Sequence, residues 1–327
     1  MIIIRTPYRV SLFGGGTDHP SWYRENSGSV LSFSIDKFSY VNIRELPPFF
    51  KHRYRISYSK IEVVEKVNEI KHPAVREAFK KYSDGQSLEL HHHGDLPAKS
   101  GVGSSSAFSV GVIHALLALQ GAEQGEIEKQ KLADLAINFE QIDLAEAVGS
   151  QDQVACALGG INFINFGPGE RWVHESLQLS PDYLKEIETR MVLVFSGVDR
   201  ISSNIQKSLL ENIETKFEML KRTQELAKEC YEIFRHEGSL EAIGTMLNES
   251  WELKLKMNPL AATELLQNLF NKARLAGADG GKILGAGGGG FCLFWIDPKM
   301  RESFIKEMHP YLIVPIKISF GGSTRIY

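Results

Sequence analysis

Ile2 to Phe13 opens the chain as an apolar run with Arg5, Arg9 and Ser11 among its polar interruptions, and it predicts a strand ending in three glycines. Gly28 to Glu45 continues as alternating β segments through Val30, Phe33, Ile35, Tyr40, Val41 and Ile43, until Pro47-Pro48 breaks the pattern. Arg53 to Ser59 alternates again, and the mixed stretch from His72 to Tyr82 predicts a short helix with Pro73 near its first turn. A β-like run, Ser87 to His91, then leads into a glycine-serine loop, and the apolar segment Phe108 to Leu119 leaves that loop as a helix.

Glu126 to Ala147 carries Leu132, Leu135, Ala136, Phe139, Ile142 and Leu144 at helical spacing, with charges between them. Gly149 to Leu158 starts another helix, which Gly159-Gly160 closes. Strands are predicted at Ile161 to Phe166, Trp172 to Leu179 and Met191 to Phe195, completing one sheet and beginning a second. Long amphipathic patterns follow at Ser203 to His236, Ser239 to Lys256 and Ala261 to Ala276, with Pro259 between the last two. After a run of glycines come a strand at Phe291 to Ile296, a helix around Lys299 to Met308 and a last strand from Ile313 to Phe320. This order predicts an α+β protein of two domains, residues 1–190 and 191–327, sharing a cleft.

Composition narrows the function more than the fold. The 327 residues are 43% hydrophobic and 24% charged, ordinary for a soluble globular protein, and the formal net charge of -3 gives no general nucleic-acid or membrane surface. The N-terminus lacks the order of a signal peptide and no apolar run reaches membrane-spanning length, so a cytoplasmic protein is expected. Cys156, Cys230 and Cys292 lack C-x-x-C spacing and read as buried hydrophobes. The triple histidine His91-His92-His93 favours a structural role over a metal site, because adjacent strand residues point to opposite faces and no other ligand completes a set by spacing. The oligomeric state stays open, with a homodimer among the arrangements allowed.

The candidate chemistry lies in the loop Leu96-Pro97-Ala98-Lys99-Ser100-Gly101-Val102-Gly103-Ser104-Ser105-Ser106-Ala107. Glycines let the backbone approach a ligand closely, and hydroxyls and free N–H groups at a helix N-terminus suit a phosphate. It is not a Walker A motif, since Lys99 precedes the glycines. Taken alone, the pattern equally describes a loop that only caps a helix.

Two further stretches change that balance: Pro7-Tyr8-Arg9-Val10-Ser11-Leu12-Phe13-Gly14-Gly15-Gly16-Thr17-Asp18 near the start and Lys282-Ile283-Leu284-Gly285-Ala286-Gly287-Gly288-Gly289-Gly290-Phe291 near the end. Three motifs in this order resemble the GHMP kinases. Within that superfamily, Phe-Gly-Gly-Gly-Thr-Asp and Gly149-Ser150-Gln151-Asp152-Gln153 are most similar to bacterial heptose phosphate kinases.

The resemblance implies ATP- and Mg²⁺-dependent phosphorylation of a sugar phosphate at its anomeric hydroxyl, D-glycero-D-manno-heptose 7-phosphate giving the 1,7-bisphosphate, in nucleotide-activated heptose synthesis for surface polysaccharide. Lys99 and Gly101 to Ser106 would cradle the nucleotide, with Ser105 and Glu140 at the metal. Asp152 would be the general base, and Arg9 the cation that stabilises transferred charge. Gly15, Gly16, Thr17, Asp18 and His19 would meet the acceptor, together with Gly287 and Gly288 of the third motif and Arg325; Trp22, Tyr23, Arg24 and Arg171 are further residues within reach of a cleft. Without the resemblance, Glu140 reads as a solvated helix charge, Asp152 as a helix-start charge, Arg9 as a surface strand residue and the glycine run as a turn. Gly15-Gly16 stands where galactokinases carry Glu-His, which argues against galactose. The alternatives are another anomeric sugar kinase, of the fucose or galactose type, and a non-catalytic binding protein that senses nucleotide or sugar.

Overall fold

β1 (Ile2–Phe13) is buried along nearly its whole length and runs antiparallel to β2 (Gly28–Glu45), one strand of 18 residues where the pattern predicts several segments. β2 is long enough to take two partners on its other edge. Its first half pairs β6 (Ile161–Phe166) and its second half pairs β5 (Leu88–Gly94). β3 (Tyr54–Ser57), β4 (Ile61–Val64) and β7 (Trp172–Leu177) extend these branches into an eight-stranded sheet. A computed structural model of the chain describes residues 1–122, 125, 127–169, 172–197 and 216–327.

Helices cover β2 from both faces. Ser34 donates its hydroxyl to the Ala155 carbonyl of α5 (Gln151–Leu158), while Ser29, on the opposite face by strand alternation, accepts from Gln224 of α7 (Phe217–Arg235). Among the described residues the helices here are, in chain order, α1 (Pro20–Asn26), α2 (Pro73–Tyr82), α3 (Ser104–Leu119), α4 (Lys129–Asn138), α5 (Gln151–Leu158), α6 (Pro181–Arg190) and α7 (Phe217–Arg235). α3 is apolar all round, as a helix buried between layers requires. The predicted helix from Glu126 to Ala147 ends early: α4 gives way to a π-turn at Phe139–Asp143, whose extra residue turns Ile142 out to 69% exposure. Position 126, the 203–215 part of the predicted helix 203–236, and Arg171 lie outside the described residues.

The second sheet is antiparallel, in the order β11 (Leu312–Val314), β8 (Met191–Phe195), β10 (Phe291–Ile296), β9 (Ala278–Ile283). α8 (Ala242–Met257) crosses β9 so closely that a Cβ on Gly280 would lie 1.8 Å from the Gly244 carbonyl oxygen. α9 (Glu264–Leu275) and α10 (Arg301–Glu307) close a smaller core with Phe294 and Phe304. α1, α6, β4 and β9 have no counterpart in the apolar pattern. The first two helices carry local signals all the same, a cap followed by proline: His19-Pro20 and Ser180-Pro181.

The predicted strand Ile313 to Phe320 is cut short after Val314 by Pro315. The chain then returns to the first sheet, where Ser319 N–H donates to Ser34 O at 2.8 Å and β12 (Thr324–Arg325) pairs with β1. The second unit is therefore not an unbroken run to the C-terminus.

The two halves interlock at glycines. Gly290, at φ +89°, packs so that an added Cβ would fall 2.3 Å from Ser100 O, and the next N–H, that of Phe291, donates to the same oxygen at 3.0 Å. Replacing Gly290 by Ala is expected to cost about 3 kcal/mol or more, from backbone strain and lost closure. Gly167→Ala, where no atom lies within 4 Å, should stay within about 0.5 kcal/mol. Guanidinium unfolding of both variants measures the contrast, and equal midpoints would refute the interlock.

Candidate active site

Arg9 lies on the face of β1 that α5 covers. Its Nε and Nη2 donate to the two carboxylate oxygens of Asp152 at 2.7 and 2.6 Å, and Nη1 donates to Gly101 O at 2.7 Å. A two-point pair fixes the plane of the carboxylate as well as its position. Arg9 is 4% exposed, whereas the Asp152 side chain keeps 26%, so the pair is anchored inside and open at the acid. Burial works against the guanidinium charge, but the charge and hydrogen bonds of Asp152 outweigh it and raise the Arg9 pKa above its ordinary value. Gly103, at φ +70°, lets the loop lie on the arginine stem, since a Cβ there would be 2.9 Å from Arg9 Cγ.

Asp18 is buried beside this pair. Oδ1 accepts from Gly16 N–H at 2.9 Å and Oδ2 from Gln151 N–H at 3.2 Å. Burial raises its pKa and the Asp152 charge adds to the rise, against the pull of the backbone donors. Gly149 is the only residue type that fits opposite, because a Cβ would meet Asp18 Oδ2 at 1.9 Å. Thr17 corrects the expectation of an acceptor contact: fully buried, its hydroxyl donates to Gly14 O at 2.8 Å and accepts from Ser29 N–H at 3.2 Å, which holds the turn. His19 caps α1 through Nδ1, leaving Nε2 buried without a partner, and burial lowers the ring to about pKa 4, with Arg24 adding to the effect.

Glu140 sits in the π-turn, 1% exposed. Oε2 accepts from Ser106 Oγ at 2.9 Å and from the Gln153 carboxamide, while Oε1 is buried with no partner. Burial pushes its pKa up to about 8, with the nearby Ser109 and Ser106 hydroxyls working against the rise. The serine that meets Glu140 is thus Ser106; Ser105, one residue round the helix, is exposed. A buried carboxylate with one undonated oxygen fits a hard cation.

The first bond of α3 runs from Ala107 N–H to Gly103 O at 2.8 Å, so the N–H groups of Ser104, Ser105 and Ser106 precede the helical ladder at its positive end. Lys99 is exposed at φ +59° and donates its N–H to Ser104 Oγ at 3.0 Å. The third glycine run closes against this loop: a Cβ on Gly101 would meet Leu284 O at 2.5 Å. Gly287 packs on Ala261, and Gly288 N–H donates to Ala261 O at 3.1 Å.

Some expected residues stand apart. Arg325 pairs with the Ile4 end of β1, five positions from Arg9, and donates to Tyr327 O at 3.1 Å. Tyr23 supports from behind, its hydroxyl 3.1 Å from Ser150 Oγ, and the Trp22 indole donates to Ser27 O. The histidines part as strand alternation requires: His91 faces Glu89, His92 faces Ser39 and Phe108. All three cysteines are buried and free. Among the described residues no helix is long and apolar enough to cross a membrane.

Lys282 is the residue the sequence reading missed. It reaches from β9 into the first half, donates Nζ to Leu12 O at 3.0 Å and lies over the Phe13 ring. Its only signal was its place at the start of the third glycine motif.

Comparison with known proteins shows the family. Residues 67–160 match the GHMP kinases N terminal domain and residues 224–310 the GHMP kinases C terminal domain. The chain is 30% identical over 319 residues to a D-glycero-alpha-D-manno-heptose 7-phosphate kinase of Campylobacter jejuni, covering 93% of this chain and 92% of that protein. It is 26% identical to a bifunctional fucokinase/GDP-fucose pyrophosphorylase of Arabidopsis thaliana over 89% of this chain and 29% of that one. A crystal structure described as a D-glycero-D-manno-heptose 1-phosphate kinase from Bacteriodes thetaiotaomicron superposes with a TM-score of 0.81 at 22% identity, covering 100% of this chain and 99% of that one, which shows a shared fold. The chain belongs to the GHMP kinase family and is an ATP-dependent kinase similar to sugar kinases.

Burial, with the Arg9 charge nearby, lowers the Lys282 pKa from 10.5 to about 8. Between those values the unfolded chain binds more protons, so stability rises with pH there. Relative to Lys282→Met, the protein is expected to lose about 3 kcal/mol as pH falls from 10.5 to 8, and nothing further below. Guanidinium midpoints at several pH values test this; a gap that does not change with pH would contradict it.

Proposed function

We propose that this kinase transfers the γ-phosphoryl group of ATP to the anomeric hydroxyl of D-glycero-D-manno-heptose 7-phosphate, giving the 1,7-bisphosphate. The observation that carries the reaction class is the Arg9–Asp152 pair, open at the acid and hydrogen-bonded to the glycine loop through Gly101. The likeness to the Campylobacter jejuni enzyme supports the substrate. The pathway that fits is nucleotide-activated heptose synthesis for surface polysaccharide, in the cytoplasm.

In this reading the N–H groups of Ser104 to Ser106 hold nucleotide phosphate at the helix N-terminus, with Lys99 at the loop's exposed edge. Asp152 orients the acceptor hydroxyl and accepts its proton. In a loose phosphoryl transfer the hydroxyl proton need leave only late. Arg9 faces the charge that builds on the transferred group. Asp18, with Gly15 and Gly16, borders the acceptor. Mg²⁺ would be held by Glu140, through the oxygen that has no donor, with a serine of the loop; bound there it neutralises phosphate charge.

Asp152→Asn is expected to lower kcat by about a hundredfold or more while nucleotide binding persists. Turnover at the unaltered rate would remove Asp152 from the mechanism. ADP release across free and phosphorylated sugars, with ³¹P NMR of the product, tests the acceptor: a new anomeric phosphate from heptose 7-phosphate is expected, and activity confined to free fucose or galactose would replace the substrate while keeping the kinase.

A further inference from the structure

Two side chains outside every role assigned above converge on the acceptor end of the site. Ser11 stands two residues beyond Arg9 on β1, where the register with β2 is regular, so both side chains share one face. It is 7% exposed and its hydroxyl has no partner. Gln151 precedes Asp152; its N–H is held by Asp18 Oδ2 at 3.2 Å, the residue is 7% exposed, and its carboxamide oxygen has no partner. Both surround one point: a Cβ built on Gly15 would lie 3.2 Å from Ser11 Oγ and 3.5 Å from Gln151 Nε2.

Buried polar atoms are almost always hydrogen-bonded, and two unpaired ones beside a reactive pair call for a ligand. A carboxamide offers donors and an acceptor, and a serine hydroxyl one donor and two lone pairs. That set matches hydroxyl groups, which both give and accept. It does not match phosphate, since the Gln151 carbonyl and the nearby Asp18 and Asp152 carboxylates would repel an anion. Gly15 contributes by having no side chain, which leaves room where those atoms meet.

We infer that Ser11 and Gln151, across the space left by Gly15, grip sugar hydroxyls of the acceptor and discriminate against sugars that lack them. This deepens the proposed function and rests on it. A sugar without the contacted hydroxyl leaves a buried polar group unpaired, the arrangement that gives strong rejection. The substrate's own phosphate lies away from this pocket.

The test is steady-state kinetics of Ser11→Ala and Gln151→Met, with whichever sugar the unaltered enzyme phosphorylates and with its monodeoxy analogues, alongside guanidinium unfolding of the ligand-free proteins. Each variant is expected to raise the sugar KM at least tenfold with the ATP KM changed less than twofold. The analogue lacking the contacted hydroxyl should be poor for the unaltered enzyme yet as good as the parent sugar for the variant. Because the replaced atoms have no partner in the protein, unfolding midpoints should hold or rise. An unchanged sugar KM, parallel shifts in both KM values, a uniform loss across the analogues or a lowered midpoint would overturn this inference alone. No turnover of any sugar by the unaltered enzyme would overturn the proposed function, and this inference with it.

Discussion

The site depends on a buried guanidinium. Arg9 is enclosed by protein, and a charge so placed persists only where its donors are met. Three donors are met here, two by Asp152 and one by Gly101 O, and Arg9 N–H adds a fourth bond, to Val102 O at 3.0 Å. One side chain thus ties the first strand, the glycine-serine loop and the start of α5. Its pairing is also what positions the acid, because two parallel bonds leave the carboxylate a single orientation. Losing Asp152 leaves the buried guanidinium unpaired, a change that costs about 3–5 kcal/mol in buried pairs.

Around that pair, backbone approach takes the place of side-chain packing. Gly103 lets the loop rest on Arg9, Gly149 makes room for Asp18, and Gly101 and Gly290 let loops from the two halves meet at carbonyl oxygens. Positive φ is needed at Gly101, Gly103 and Gly290, so glycine serves there twice, for conformation and for space. The halves meet across hydrogen bonds from Phe291 N–H and Lys282 Nζ, which makes the cleft's geometry a property of both sheets.

Two buried ionisable groups are held away from their ordinary protonation behaviour by the same burial. Glu140 is raised to about 8 and Lys282 lowered to about 8, each because its charged form is desolvated. Glu140 owes its position to the π-turn, an irregularity that a straight helix would have removed along with the contact to Ser106.

The apolar pattern and three ordered motifs determined the α+β architecture, the family and the segments that carry Arg9, Asp18, Glu140 and Asp152, because strand and helix periods and glycine runs are local properties of a chain. Strand β1 and helices α3, α5 and α9 were legible for that reason. What no local rule contains is which atoms meet. The return of the last residues to β1, the choice of Ser106 over Ser105, the use of the Thr17 hydroxyl inside a turn, and the exclusion of Arg325 from the cluster were decided by tertiary structure. So were the unpaired atoms of Ser11 and Gln151 and the crossing of Lys282 between halves. Most of these rest on residues far apart in sequence, and a hydrogen bond forms only where folding brings donor and acceptor within about 3 Å.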